Sequence, residues 1–191
     1  MAALLIASVA HWLGLSTDTK PASARAGSSF YETDTGAVYL WDGAAWVLKL
    51  GPESLFRLNK TVTFTGAAGL GAVGNVPLAT VTGEIEIVSL VPVVTVALEE
   101  AAPTATLALG FTGATTFFVA ATNAAAQLTL GKVWFSATPG VVPLAIPAGF
   151  KNVWTSDHLV ATVGAQAVSA GALRCDVLWR PLSPDGLLVA A

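Results

Sequence analysis

Short runs of β-branched and aromatic residues, separated at nearly regular spacing by Gly, Pro or Asn, leave the chain beyond Leu58 few folds other than stacked sheets. The runs are Lys60–Thr65, Ala79–Leu90, Val93–Leu98, Thr104–Phe111, Thr115–Ala121, Gln127–Phe135, Leu159–Gly164 and Ala172–Leu182. About eight strands with turn signals every 8–12 residues make the pattern of a two-sheet, all-β sandwich, for which a jelly roll is one solution. Alternation supports this. Glu84, Glu86 and Val88 oppose Ile85 and Ile87, while Leu173, Cys175, Val177 and Trp179 oppose Arg174, Asp176 and Leu178, as strands buried on one face require. Ala120–Gln127 has room for one helical turn, and helix is otherwise expected to be scarce. Ala137–Gly149, rich in Pro and Gly, reads as extended surface loop.

The residues before this region read as a smaller β-meander. Phe30–Glu32, Ala37–Trp41 and Ala45–Leu50 are β-prone, and two turns join them. In Thr33-Asp34-Thr35-Gly36 the Asp can bond backbone N–H two residues on and the Gly permits positive φ. Asp42-Gly43 between apolar alternations is the strongest short hairpin signal. Val38 and Leu40 face one way and Ala37, Tyr39 and Trp41 the other; Trp46, Leu48 and Leu50 share a face. Both faces carry bulk, and three strands alone are marginal in water, so something beyond the meander must cover it. The organisation expected is an apolar N-terminal arm (1–14), the meander module (15–50), a linker opened by Gly51-Pro52 (51–57), the sandwich (58–186) and an apolar C-terminal tail (187–191). Ala24-Arg25-Ala26 resembles a signal-peptidase site, but the first residues lack the Lys or Arg of a signal peptide. The N-terminal segment is therefore read as an arm docked on something, as is the tail.

Composition bears on what lies outside. The chain is 54% hydrophobic and only 11% charged, whereas an ordinary soluble domain carries about a quarter charged residues. No apolar run reaches membrane-spanning length; the best, Ile85–Leu98, is broken by Glu86, Ser89, Pro92 and Thr95, so no membrane partner is expected. A net charge of −3 offers no basic stripe for nucleic acid. Permanent subunit interfaces are depleted in charge, which makes an obligate oligomer the expected explanation. The interface candidates are Trp12 of the arm and Tyr39, Trp41 and Trp46 of the meander, aromatic types enriched at such surfaces.

Chemical signatures are weak. Gly69-Leu70-Gly71-Ala72-Val73-Gly74 matches G-x-G-x-x-G, but Asn75 and Pro77 stop the helix that a dinucleotide site needs, so a hairpin loop is expected. His11 and His158 lack ligand partners at metal-binding spacing, and a single cysteine, Cys175, permits neither an internal disulfide nor a Cys cluster; Cys175 reads as a buried strand residue. Ser156, Asp157 and His158 are sequence neighbours, and adjacent strand residues face opposite ways, so a loop that starts a strand is read there rather than a triad. Glu84/Glu86 and Glu99/Glu100 read as solvated carboxylates rather than acid–base pairs. No catalytic, cofactor-binding or metal-binding residue is assigned, and a non-enzyme is expected. The rival is a carbohydrate-binding module or adhesin, with Trp41 and Trp46 or Trp154 stacking on a host-surface glycan.

Leu15–Val47, with its Lys-Pro, Phe-Tyr-Glu-Thr-Asp-Thr-Gly and Trp-Asp-Gly-x-x-Trp in this order, resembles a small module of structural proteins from tailed bacteriophages and prophages. Thr61–Gly74, Thr80–Ile87 and Ser169–Gly186 are similar to a β domain that accompanies it. Met1–Gly14 departs from what precedes the module there. The resemblance implies a virion component, such as a capsid decoration protein, head fibre or tail protein. Together with the low charge and the apolar ends, it makes assembly with copies of itself the expectation, a homotrimer being the expected form, alongside the major capsid protein or tail components. It implies no reaction.

Overall fold

The computed structural model describes residues 9–50, 55–100, 104–142, 144–183 and 185–191, without the side chains of Leu48 and Leu50. The chain divides into two compact units, Met1–Ser54 and Leu55–Ala191. The division falls within the expected linker, of which residues 51–54 lie outside the described set, as do residues 1–8 of the arm.

The first unit is a four-stranded sheet in chain order: β1 (His11–Gly14), β2 (Ser29–Glu32), β3 (Val38–Trp41) and β4 (Trp46–Leu50). Three of these strands are the expected meander. The fourth comes from the arm: β1 lies parallel to β2, with Trp12 opposite Phe30 and Leu13 opposite Tyr31. Parallel neighbours need a long crossover, and Leu15–Ser28 supplies it as a strap. The two turns form as their residues demand, with Gly36 at φ 70° and Gly43 at φ 109°. Asp42 Oδ1 accepts from the N–H groups of Ala44 and Ala45, both at 2.8 Å. Asp34 does something the sequence did not suggest: its carboxylate takes the Ser16 N–H at 2.8 Å and the Ser16 hydroxyl at 2.6 Å, tying the strap to the turn.

The second unit is an all-β sandwich. Its elements are β5 (Phe56–Thr63), β6 (Gly74–Thr82), β7 (Ile85–Glu100), β8 (Thr106–Phe111), β9 (Ala114–Asn123), α1 (Ala124–Gln127), β10 (Lys132–Val133), β11 (Gly140–Val141), β12 (Lys151–Thr155), β13 (Leu159–Gly164), β14 (Val168–Pro181) and β15 (Leu187–Ala190). One sheet runs β11-β10-β7-β14-β5, with β12 also on β7; the other runs β15-β6-β13-β8-β9. Ile85, Ile87, Leu90, Leu173 and Val177 of the first share one core with Val76, Leu78, Leu107, Leu109 and Val163 of the second. The predicted helical turn is α1, capped by Asn123 Oδ1 on the Ala126 N–H at 2.8 Å. Cys175 is fully buried, and burial, followed by the charge of neighbouring Asp176, pushes its thiol up to about 12.

Four readings differ from the structure, each for a physical reason, and β12 has no counterpart in the sequence reading. Ala79–Leu90 is two strands, because Gly83 at φ 60° turns the chain. Ile85–Leu90 and Val93–Leu98 are one strand, β7, running through Pro92. The Pro92 carbonyl accepts from the Trp134 N–H at 2.9 Å, and a strand residue's N–H and C=O share a side, so the missing donor faces the β10 side. There β12 has ended its pairing at Ser89 and β10 pairs only at Val93, so the loss is confined to the one reciprocal bond to the Trp134 carbonyl. Of Gln127–Phe135 only Lys132–Val133 is strand, since Leu128 caps α1 and Gly131 turns at φ 80°. The C-terminal tail is not free for a neighbour. It is β15, paired with β6, with Leu188 buried in the core and Leu187 and Val189 outward.

Candidate interaction surfaces

Strand register sets what each face of the first unit carries. Trp12 stands opposite Phe30, Phe30 opposite Tyr39, and Trp41 opposite Trp46, so these rings share one face. The Trp46 ring lies 5.6 Å from Trp12, 6.1 Å from Phe30 and 5.5 Å from Trp41, each edge to face, an arrangement the ring quadrupoles favour. Its Nε1–H donates to the Pro21 carbonyl at 2.9 Å. The strap thus covers the face. Lys20 completes it: its Nζ sits 4.1 Å from the Tyr39 centroid and 5.0 Å from that of Phe30, and donates to Glu32 Oε1 at 2.6 Å. Thr35 donates to Glu32 Oε2, also at 2.6 Å. Burial pushes the Glu32 carboxyl up, but the hydrogen bonds from Lys20 and Thr35, with the Lys20 charge, outweigh it and hold it below the usual carboxylate range. Solvent is kept from Glu32 by these immediate partners rather than by deep burial. The four interface candidates, Trp12, Tyr39, Trp41 and Trp46, are therefore together, half-buried, in the module's own small core.

The opposite face has no such cover among the described residues. Leu13, Tyr31 and Val38 are opposite one another, as are Ser29, Leu40 and Val47. Leu13 is 75% exposed and Tyr31 40%, while Val38, Leu40 and Val47 are half-buried. Sequence reasoning found Val38 and Leu40 on one face but missed Leu13, because a four-residue parallel strand at the end of an apolar run has no alternation long enough to read. In the sandwich, the loops around β10 and β11 expose Leu130, Val141, Val142 and Leu144.

A groove of about 290 Å³ lies on the sandwich, lined by Phe111, Phe117, Trp154, Ser156 and Asp157 among others. Trp154 was a candidate; Phe117 was missed. The Phe117-Phe118 doublet was the available signal, because adjacent strand residues face opposite ways and one of the two rings must point outward.

The remaining candidates are structural. Gly71 has φ 120°, and a Cβ there would drive into the carbonyl of Val168, whose N–H donates to Gly71 O at 2.8 Å. The glycine pattern thus serves close backbone approach, with no helix following it. His158 Nδ1 accepts from the Val81 N–H at 3.1 Å, which takes that ring nitrogen out of any relay with Ser156 or Asp157. Glu86 pairs with Arg180 at 2.6 Å. Glu84 is in the turn before β7, and Glu100 accepts from the backbone of Ala105 and Ala125. Among the described residues no group of three His, Cys, Asp or Glu side chains could hold a metal, and no helix is long and apolar enough to cross a membrane. Comparison of the chain with protein-family models, curated proteins and solved structures returned no match.

Proposed function

We propose that the protein is a non-enzymatic structural component of a phage virion, of the capsid decoration or head-fibre kind, which self-associates and docks on the particle. The observation that carries the reading is the apolar outer face of the first unit, Leu13, Tyr31, Val38, Leu40 and Val47, on a chain only 11% charged. A sheet face of this kind leaves apolar area in water unless another surface meets it. The motif resemblance of Leu15–Val47 supports the virion setting, and the low charge supports a permanent rather than a transient contact. The two chain ends no longer serve the argument as the sequence suggested: residues 11–14 and 187–190 complete the chain's own sheets. The occupant of the outer face is a second copy of this chain. In closed cyclic symmetry, as in a trimer, each subunit has two heterologous contacts, and the exposed Leu130, Val141, Val142 and Leu144 of the sandwich supply further apolar surface.

Analytical ultracentrifugation of the full chain and of Leu13→Lys/Tyr31→Ser tests this. The native chain sediments as an oligomer and the variant, folded by circular dichroism, as a smaller species. An oligomer unaffected by the variant would move the contact elsewhere, and a native monomer would remove it. A second reading, host-glycan binding, is favoured by one observation on the sandwich, the groove at Trp154.

A further inference from the structure

We infer that the groove bounded by Trp154, Phe117 and Asp157 binds a single pyranose ring of a neutral glycan, by stacking and hydrogen bonding and without cleaving it. The inference stands apart from the virion proposal and survives if that fails.

Trp154 is 65% exposed and Phe117 53%, in a chain whose other large aromatic side chains are mostly covered. Both lie on strands at the margins of their sheets: β9 is the last strand of its sheet, and β12 bonds to β7. Phe111, nearly buried, forms the floor and packs against Phe117 with centroids 5.3 Å apart. The outward ring is therefore backed by the core and fixed in place. Asn152, two residues before Trp154, holds a left-handed φ of 53° within β12. Asn tolerates that conformation better than most residues, and strain of this kind tends to sit beside positions whose geometry matters.

The polar rim is equally fixed. The loop carrying Ser156 and Asp157 is pinned by three bonds: Asp157 N–H to Thr155 Oγ1 at 2.9 Å, Thr112 N–H to the His158 carbonyl at 3.0 Å, and Val81 N–H to His158 Nδ1 at 3.1 Å. The Asp157 carboxylate rests against Gly113, where a Cβ would come within 2.7 Å of Oδ2. Among the described residues, no hydrogen bond or ion pair engages that carboxylate. An aromatic wall, a second aromatic ring and a carboxylate with free acceptor positions, all held in advance by the fold, match the two sides of a pyranose. Its C–H face lies on the indole, and neighbouring hydroxyls donate to the carboxylate. Holding these groups ready lowers the ordering cost that limits weak ligands.

The volume, about 290 Å³, is at the lower end of ligand sites and suits one ring. An organic cation is the competing ligand for a carboxylate beside aromatics. A cage for it needs rings on several sides, whereas here two exposed rings share the rim with the Ser156 hydroxyl. Cleavage would need a second carboxylate across the groove, and Asp157 is the one carboxylate among the described lining residues.

The test uses the full chain, labelled with ¹⁵N, and a panel of methyl glycosides of glucose, galactose, mannose, rhamnose and N-acetylglucosamine. Titration is followed on the tryptophan indole N–H signals, with methyl choline ether as the cation control. The expected result is that at least one glycoside shifts the Trp154 signal selectively. Trp154→Ala should weaken its binding about tenfold or more by saturation-transfer measurements, and Asp157→Asn several-fold, with the other five indole signals unmoved. Trp154→Phe should retain part of the affinity. No response to any glycoside, a response to the cation alone, or glycoside binding that survives both Trp154→Ala and Asp157→Asn would each overturn the inference. So would a Trp154 signal that moves only with protein concentration, which would give the groove to self-association.

Discussion

Removing the Lys20 charge should open the first unit while leaving the sandwich closed. Lys20→Met keeps the stem over Tyr39 and Phe30 but leaves Glu32, whose side chain is 5% exposed, without its cation. A hydrogen bond to a charged group is worth roughly 1.5–3 kcal/mol, and each cation–π contact about 0.5–1. The combined loss is about 2.5–5 kcal/mol, an unpaired charge being costlier than an absent pair. A unit of this size has on the order of 3–8 kcal/mol in total, so half or more of its stability goes. Hydrogen exchange read by mass spectrometry reports this directly, with sandwich peptides as the internal reference. Peptides spanning Ser28–Trp46 should lose protection by a factor of about 70 to 5,000 at neutral pH. Lys20→Met/Glu32→Gln should regain part of that loss, because no charge is then stranded. A change below about threefold in Lys20→Met, or a double variant no better than the single, would refute the reasoning that this pair holds the strap.

Three further outcomes follow from the same structure. Glu32, Asp34 and Asp42 all have folded carboxyls below their ordinary values: Glu32 through Lys20 and Thr35 against the opposing effect of burial, Asp34 through Ser16, and Asp42 through the Ala45 and Ala44 N–H groups. Each therefore stabilises the first unit above the unfolded carboxylate pKa. The contribution is lost as pH falls through the folded value, so exchange protection of that unit should drop below about pH 4. Gly71→Ala forces a Cβ against the Val168 carbonyl at a φ of 120° and should cost the sandwich about 3 kcal/mol, a fall of roughly 10 °C in its melting temperature. Cys175, buried and with its thiol pushed up to about 12, should react with a thiol reagent only after denaturation; rapid labelling of the native chain would contradict its place in the core.

The sandwich was legible because β14 alternates from Leu173 to Trp179, with Leu173, Cys175, Val177 and Trp179 inward, and because a one-residue slip would expose all of them. The two hairpin turns of the first unit were legible from Asp42-Gly43 and Gly36. The parallel strand β1 was not, since its partner lies across a crossover and parallel pairing leaves no turn signal. Pro92 misled for a related reason: whether a proline interrupts a strand depends on which edge its nitrogen faces, a fact of topology. Trp12, Tyr39, Trp41 and Trp46 were picked out by residue type, and the register gathered them on one face. That Lys20 and Pro21 would close over them depended on where the strap runs, which local sequence does not encode. Ser156-Asp157 showed nothing beyond a turn until the fold brought Phe117 alongside.

The claim that the outer apolar face is met by another copy of the chain is tested most directly by native mass spectrometry of the intact protein at micromolar concentration. The account predicts a closed assembly at an integer multiple of the 19.4 kDa chain, with a trimer expected. A single species at the mass of one chain, unchanged as concentration rises, would contradict it.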